Sequence, residues 1–305
     1  KSIPRGSIIF PKRGVALFLN KIRILAQDSF MDTNLMTLTV TKSDINNEFL
    51  FYVLDRIGLW KIADTTSVPQ INKKHINSLI IPKPPIFEQQ AIAEVLSDID
   101  NLIASLEKLI DKKQKIKLGT MQELLTRRKR LSGFSGEWVK KKIGEIAEIG
   151  RGRVISHKEI DFAKERKYPV YSSQTTNNGI MGYIDTHDFE GEYITWTTDG
   201  VNAGKVFYRN GKFNCTNVCG TIKLKKDNHR FVAIMLDTVT AKYVSKNLAN
   251  PKLMNNVMKQ IEIELPSLEE QQLIDQIISD IEHEIESLEQ KLEKYKTIKQ
   301  AMTQE

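Results

Sequence analysis

The sequence predicts an α+β fold in which two globular segments alternate with two long helices that pair antiparallel, the first globular segment lacking its N-terminal part. Three observations predict it. A 40-residue stretch beginning at Pro84 returns 182 residues later at Pro266, with 17 of its 40 ungapped positions identical. Both copies carry apolar residues at seven-residue spacing, the signature of a helix with one sticky stripe. Between and before the copies, short apolar runs are broken by Gly and Asn, as in strands joined by turns. The repeat is read first because each copy is one structural unit and fixes the register of everything around it.

Residues 1–83 are expected to form the C-terminal part of a first globular domain. In the register of the repeat, Phe49, Leu54-Asp55 and Pro69 correspond to Phe231, Leu236-Asp237 and Pro251. With a slightly larger offset, Gly6 aligns near Gly191 and Gly14 near Gly200, across two strand-turn patterns. The opening of the second unit, from Gly133-Phe134 through Trp138 and Lys141 to Gly152, would find its counterpart ahead of Lys1. Lys1 in place of an initiator Met likewise suggests a chain that has been cut or is incomplete.

Residues 84–132 are expected to be the first long helix and a linker. Pro82, Pro84 and Pro85 cannot lie inside a helix, whereas Glu88-Gln89-Gln90 suit a first turn. Ile92, Ile99 and Leu106 recur every seven residues, flanked by Val95, Leu102, Leu109 and Ile116, with Leu96, Ile103 and Ile110 widening the stripe. Residues 133–265 form the second globular domain, with strand-like runs at Glu192–Trp196, Lys205–Tyr208 and Thr221–Leu224 and a helical stretch from about 229 to 246. Residues 266–305 are the second long helix, opened by Pro266 ahead of Glu269 and Glu270. Its stripe is Ile274, Ile281, Leu288 and Tyr295 beside Ile278, Ile285 and Leu292. A stripe this narrow over about four heptads is a helix-helix seam. Two such helices in one chain bury their seams against each other, and an antiparallel pair holds one globular segment at each end.

Composition bounds the function. The chain has 305 residues, 40% hydrophobic and 27% charged, which excludes disordered, collagen-like and mucin-like classes and fits about two domains. Neither an apolar run of membrane-spanning length nor a charged-then-apolar leader is found, so a cytoplasmic protein without a membrane partner is expected. Cys215 and Cys219 lack the further Cys or His that would complete a zinc site and are expected as plain reduced core thiols. The histidines at 75, 157, 187, 229 and 283 are scattered and are read as surface residues.

Forty-five Lys and Arg against 38 Asp and Glu leave a net +7, unevenly spread. Residues 124–265 hold 24 basic against 15 acidic side chains and residues 1–83 hold 12 against 6, while 84–123 hold 5 against 7 and 266–305 hold 4 against 10. Basic globular segments joined by acidic helices assign polyanion contact to the former and protein contact to the latter. The loops Ser172–Gly179 and Thr197–Gly204 are rich in Ser, Thr, Asn and Gln, side chains that pair with base edges, beside Arg151, Arg153 and Lys205. Catalytic patterns are missing. Asp199–Lys205 resembles a phosphate-binding loop only superficially, since its first Gly comes one residue late and Val206 replaces the Ser or Thr. No nucleophile elbow, His-Glu-x-x-His, dinucleotide-binding fingerprint, amino-methyltransferase tetrapeptide or nuclease motif is present.

The alternation of two globular segments with two repeated helices, the opening GFSGEWVKKKIGEIAEI from Gly133, and the boundaries PPIFEQQAI and PSLEEQQLI resemble the DNA-specificity subunit of type I restriction-modification systems. The resemblance covers essentially the whole chain. It implies that each globular segment is a target recognition domain reading one half of a bipartite site in double-stranded DNA. It implies that the helices form an antiparallel coiled-coil spacer that docks two copies of the methyltransferase (modification) subunit. S-adenosylmethionine then belongs to that subunit, no cofactor or metal is bound by this chain directly, and a restriction and translocase subunit joins through the complex. The chain itself is then not an enzyme. Where it departs from the pattern is the first recognition domain, which should open with a segment like 133–180 and does not.

On this reading the DNA-binding candidates are Arg151, Arg153, Ser173, Gln174, Asn177, Asn178, Thr198, Lys205 and Arg209. Lys12 and Arg13 join them because they occupy the turn equivalent to Thr198 and Asp199. Ile92, Ile99, Leu106, Ile274, Ile281 and Leu288 are the coiled-coil candidates. A scaffold without DNA binding and an enzyme acting alone remain as alternatives. Salt-dependent DNA affinity separates out the first, and activity of the purified chain with S-adenosylmethionine or Mg2+ the second.

Overall fold

The computed structural model of the protein describes residues 2–245 and 250–304. Lys1, 246–249 and Glu305 lie outside the described residues, and with them the far ends of the expected first domain, of the 229–246 helix and of the last helix. The chain divides into two compact units, residues 1–113 with 285–305 and residues 114–284, a division that passes through both long helices.

In the first unit, strand β1 (Ile8–Pro11) is the centre of an antiparallel sheet, with β2 (Arg23–Ile24) on one side and β3 (Leu35–Leu38) on the other. Alternation along β1 buries Ile8 and Phe10, which pack with Leu17, Ile22, Leu54, Leu59 and Ile71. Helix α1 (Asn47–Ile57) supplies Leu54. It starts because Asn46 Oδ1 accepts the Phe49 N–H at 2.8 Å, and it stops at Gly58, whose φ of 78° leaves the helix. A short helix, α2 (Lys73–Asn77), follows, and then the 40-residue α3 (Ile86–Leu125), which begins directly after Pro84-Pro85.

The second unit opens with β4 (Val139–Lys142), α4 (Ile143–Ile146) and β5 (Ala147–Arg151), followed by α5 (His157–Asp161), β6 (Tyr168–Tyr171) and β7 (Ile180–Ile184). Then come β8 (Phe189–Glu190), β9 (Tyr193–Thr197), β10 (Val206–Arg209), β11 (Lys212–Cys215) and β12 (Cys219–Leu224). The unit closes through α6 (His229–Val239), α7 (Asn255–Gln260), β13 (Glu262–Leu265) and the start of α8 (Leu268–Gln304). One four-stranded sheet runs β10-β9-β12-β5, antiparallel throughout; another runs β7-β6-β11-β8, with β11 parallel to β6; β13 pairs with β4. The three strands expected from sequence are β9, β10 and β12, displaced by at most two residues at either end. The expected helix ends earlier, at Val239, and continues as a tight turn through Tyr243. Trp196 is fully buried at the centre, under Gly220, where a Cβ would approach the indole to 2.2 Å; only glycine fits there.

Both units fasten their globular segment to a long helix by the same device. Gln89, buried in the first turn of α3, accepts the N–H of the α1 cap Asn46 at 2.9 Å and donates to the carbonyls of Asp44 and Pro84. In the second unit Gln271 accepts the N–H of the α6 cap Asn228 at 3.0 Å and donates to Asp227 and the Pro266 carbonyl. The first Gln of each Glu-Gln-Gln is therefore a buried clamp, spaced like everything else in the repeat.

Within each unit the two long helices are antiparallel neighbours. In the first, Lys296 pairs with Glu107 at 2.9 Å and Lys299 with Asp100 at 2.6 Å. In the second, Lys117 pairs with Glu282 at 3.3 Å, and Leu124 packs with Ile274 and Ile278. The covered stripe differs from the expected one. Leu96, Leu106 and Ile110 are buried and Ile99 half-buried, but Ile92 is 37% exposed, and Val95, Leu102 and Leu109 are 46%, 37% and 38% exposed. In α8, Ile274, Ile278 and Ile285 are buried while Ile281 and Leu288 are half-buried. The helix turns the Leu96 series inward because those residues fall on the side of Ala93, against Phe49 and Val53. Among the described residues no helix is long and apolar enough to cross a membrane.

Candidate nucleic-acid interface

β9 ends at Thr197, and the chain turns through Asp199 and Gly200 before β10 begins at Val206. Arg151, the last residue of β5, reaches this turn: its Nη2 donates to Thr198 Oγ1 at 2.8 Å and to Asp199 Oδ2 at 3.2 Å. The Thr198 hydroxyl in turn donates a hydrogen bond to Asp199 Oδ2 at 2.6 Å. Thr198 is fully buried and braces the turn from inside. Lys252 stands 3.6 Å from the other Asp199 oxygen, leaving this carboxylate between two cations.

A corresponding turn exists in the first unit, anchored by matching main-chain bonds. Gly14 N donates to Pro69 O at 2.7 Å and Ile71 N to Lys12 O at 2.8 Å; Gly200 N donates to Pro251 O at 3.0 Å and Leu253 N to Thr198 O at 2.9 Å. Arg13 bridges Gln70 as Asp199 bridges Lys252. Lys12 and Arg13 therefore hold the positions of Thr198 and Asp199, as the sequence alignment predicts, but with the charge reversed at the tip: an exposed Arg13 where the other copy has a neutralised aspartate. Both turns expose an apolar tip, Val15 and Val201, which sequence analysis passed over.

The second loop, Ser172–Gly179, folds back on itself through Ser172 N to Gly179 O at 2.9 Å. Asn177 and Asn178 both sit in the left-handed region, at φ 49° and 51°, a conformation asparagine tolerates better than other side chains. Their side chains are exposed. Gln174 donates its amide to the Ile180 carbonyl and so closes the loop. The Ser173 carbonyl accepts from Asn202 Nδ2 at 3.1 Å, which ties this loop to the turn after β9.

Beneath lies Arg209, only 4% exposed. Its guanidinium stands 3.6 Å above the Tyr171 ring and 4.4 Å from Phe207, and it donates to Asn178 O at 2.8 Å and Thr195 Oγ1 at 3.3 Å. Burial pulls its pKa down from the usual arginine range. Ring stacking and carbonyl contact, with no carboxylate partner, hold this cation. Expected as a DNA contact, Arg209 lies buried under the loop, its fork engaged by the Asn178 carbonyl and the Thr195 hydroxyl.

Two further candidate cations are exposed and ion-paired. Arg153 is gripped by Glu159, at 2.5 and 3.0 Å, and by Asp188 at 2.9 Å, a pairing that drives the Glu159 carboxyl below its ordinary range. Lys205 pairs with Asp237 at 2.7 Å, and the same carboxylate receives the Val206 N–H at the edge of β10. In sequence these residues advertise charge; their carboxylate partners lie far along the chain or just beyond a turn, where no spacing rule finds them. His229, expected on the surface, is partly buried and accepts the Leu224 N–H at 3.0 Å through Nε2. Cys215 and Cys219 are free and buried.

The exposed candidates are the amides of Asn177 and Asn178, the Val201 tip and the ion-paired Arg151, Arg153 and Lys205 in the second unit, and Arg13 and Val15 in the first. Amides, cations and apolar tips are side chains of the kinds that can pair with base edges, phosphates and methyl groups.

The model of the type I restriction modification DNA specificity domain matches residues 1–118 and 135–297. A putative type I specificity subunit of Mycoplasma pneumoniae is 47% identical over 135 residues, 44% of this chain and 37% of that protein, so the match spans well under two thirds of that relative. Another from the same organism is 34% identical over 212 residues, 68% of this chain and 76% of that protein. The crystal structure of a type I restriction-modification S subunit from M. genitalium shares the fold at a TM-score of 0.73 and 17% identity, covering 98% of this chain and 82% of that one. Matched by the family model over both its globular segments and most of both long helices, the chain belongs to the type I restriction modification DNA specificity domain family.

Proposed function

We propose that this chain is the sequence-reading subunit of a type I restriction-modification complex. It recognises a bipartite site in double-stranded DNA and directs a methyltransferase and a restriction subunit to it. The observation that carries this is the Asn177-Asn178 pair, held exposed and left-handed by the buried Arg209 below and by Asn202 beside it. Those bonds hold the loop backbone and leave both side-chain amides exposed, and an amide offers the donor and acceptor pair that discrimination of adenine requires. Arg13 and the remaining basic surface supply phosphate contact.

The two long helices act as an antiparallel coiled-coil spacer. Support comes from the ion pairs Lys296–Glu107, Lys299–Asp100 and Lys117–Glu282. Their outward apolar series, Val95, Leu102 and Leu109, suits docking of two modification subunits. S-adenosylmethionine is then held by those subunits, and the specificity chain, working in the cytoplasm, does no chemistry of its own.

The test is methylome sequencing of cells carrying the complex with this chain intact or bearing Asn177→Ala, Asn178→Ala or both. The expected result is relaxed preference at one or two base positions of a single half-site, with spacer length unchanged. Methylation motifs identical in all four strains would refute the assignment of this loop.

A further inference from the structure

The internal repeat allows each unit to serve as a template for the other, and in one place they disagree. In the second unit Trp138 inserts beside Phe231, ring centroids 6.0 Å apart, and joins the buried cluster that contains Met235, Ile274 and Ile278. β4 follows Trp138 directly and pairs with β13. Eight residues earlier, Arg130 grips the buried carboxylate of Glu270 through two bonds, of 2.9 and 2.8 Å, and reaches the Gly136 carbonyl at 3.0 Å. One segment, Arg130–Ile146, thus plugs a groove between α6 and α8 with an aromatic ring, an arginine and a strand.

In the register of the repeat, Phe231, Met235, Glu270, Ile274 and Ile278 become Phe49, Val53, Glu88, Ile92 and Leu96. In the first unit those five residues line a groove of about 540 Å³. Ile92 is 37% exposed where Ile274 is 1%. Glu88 is exposed where Glu270 is buried and paired. The extended stretch Ile80–Lys83, which stands where β13 stands, has no strand beside it, and Ile80 is 95% exposed. Arg56 and Lys83 also line the groove, each already engaged, Lys83 by Asp44.

We propose that this groove is a docking site for a polypeptide segment of the Arg130–Ile146 type: an arginine that chelates Glu88, a tryptophan eight residues later that enters beside Phe49 and Ile92, and an extended stretch that lies along Ile80–Lys83. Charge complementarity at Glu88 and the shape filled by Trp138 in the other unit single out this occupant among apolar partners. Pro82 offers no N–H to an added strand, so the ring and the arginine carry the hold. The inference concerns the first unit alone and is independent of which residues read DNA.

A fluorescein-labelled synthetic peptide of Arg130–Ile146 sequence, titrated by anisotropy against the full chain, tests it. Saturable one-to-one binding is expected, weakened at least about tenfold by Glu88→Gln in the chain or by Trp138→Ala in the peptide. A second peptide, carrying benzophenone in place of the tryptophan, is expected to crosslink to residues around Phe49 and Ile92. Absence of saturable binding, indifference to Glu88→Gln, or crosslinks around Phe231 would each overturn the proposal, the last by marking displacement of the chain's own segment.

Discussion

The first and second units use the same clamp and the same turn, yet they spend their charges differently. Gln89 and Gln271 each tie a helix cap to a long helix with three hydrogen bonds, and the turns at Gly14 and Gly200 share their backbone bonding. At the tip of the first turn Arg13 is exposed, whereas in the second Asp199 takes up Arg151. Beside the long helix, the second unit is filled by Trp138 and the first is open at Ile92. The difference teaches that the backbone frame and the polar fastenings of this fold tolerate wide variation in what is mounted on them. Frame and loop tips are separable because the clamps of Gln89 and Gln271 bond to helix caps, helix-start carbonyls and Asp227, none of which belongs to the Ser172–Gly179 or Thr197–Gly204 loop.

The largest effect that sharpens the comparison is in the helix seam. Ile274→Ala empties a closed cluster and is expected to cost about 2–5 kcal/mol. Ile92→Ala removes a side chain already partly in water and is expected to cost under about 1 kcal/mol. Urea unfolding of both variants measures this, and equal losses would show that the groove in the first unit is closed in solution. Next, Gln89→Ala strands a cap N–H and two carbonyls, Gln271→Ala a cap N–H, one carbonyl and the Asp227 carboxylate, and each should cost about 1–3 kcal/mol. A cost confined to one of them would break the equivalence of the clamps.

A smaller effect separates the reading surfaces. Arg209→Lys keeps the charge but loses the fork that holds the Asn178 carbonyl. Affinity for the cognate duplex should fall about tenfold while random duplex is little affected. Arg13→Ala should weaken both duplexes alike and lower the salt slope by about 1. Fluorescence titrations at several salt concentrations distinguish the two patterns, and uniform loss in Arg209→Lys would show that the loop it holds does not discriminate sequence.

The smallest effect is with pH. Burial lowers the His229 pKa below its ordinary value of 6.5, and its Nε2 lone pair is occupied by the Leu224 N–H. The folded second unit therefore binds this proton less readily than the unfolded chain. Its contribution is present above about pH 6.5 and is lost as pH falls from there through the lowered folded value. Unfolding midpoints taken between pH 7.5 and 5 should show this loss in the native chain, reduced in His229→Gln; an identical pH dependence in both would remove His229 as its source.

The repeat, the proline-marked helix starts, the strand positions and the equivalence of the Lys12-Arg13 and Thr198-Asp199 turns were legible in the sequence, because periodicity, proline and glycine act locally and leave their spacing in the chain. The family resemblance rested on the same spacing. Which apolar series faces the partner helix was not legible: Val95, Leu102 and Leu109 keep the same heptad as Leu96, Ile103 and Ile110, and only packing against Phe49 and Val53 chooses between them. Nor could spacing reveal that Arg153 pairs with Glu159 and Asp188, Lys205 with Asp237, and that Arg209 stacks on Tyr171 and Phe207. A charge is a property of one residue and can be counted along the chain. Its availability depends on neighbours brought up by folding, and that the tertiary structure alone decided.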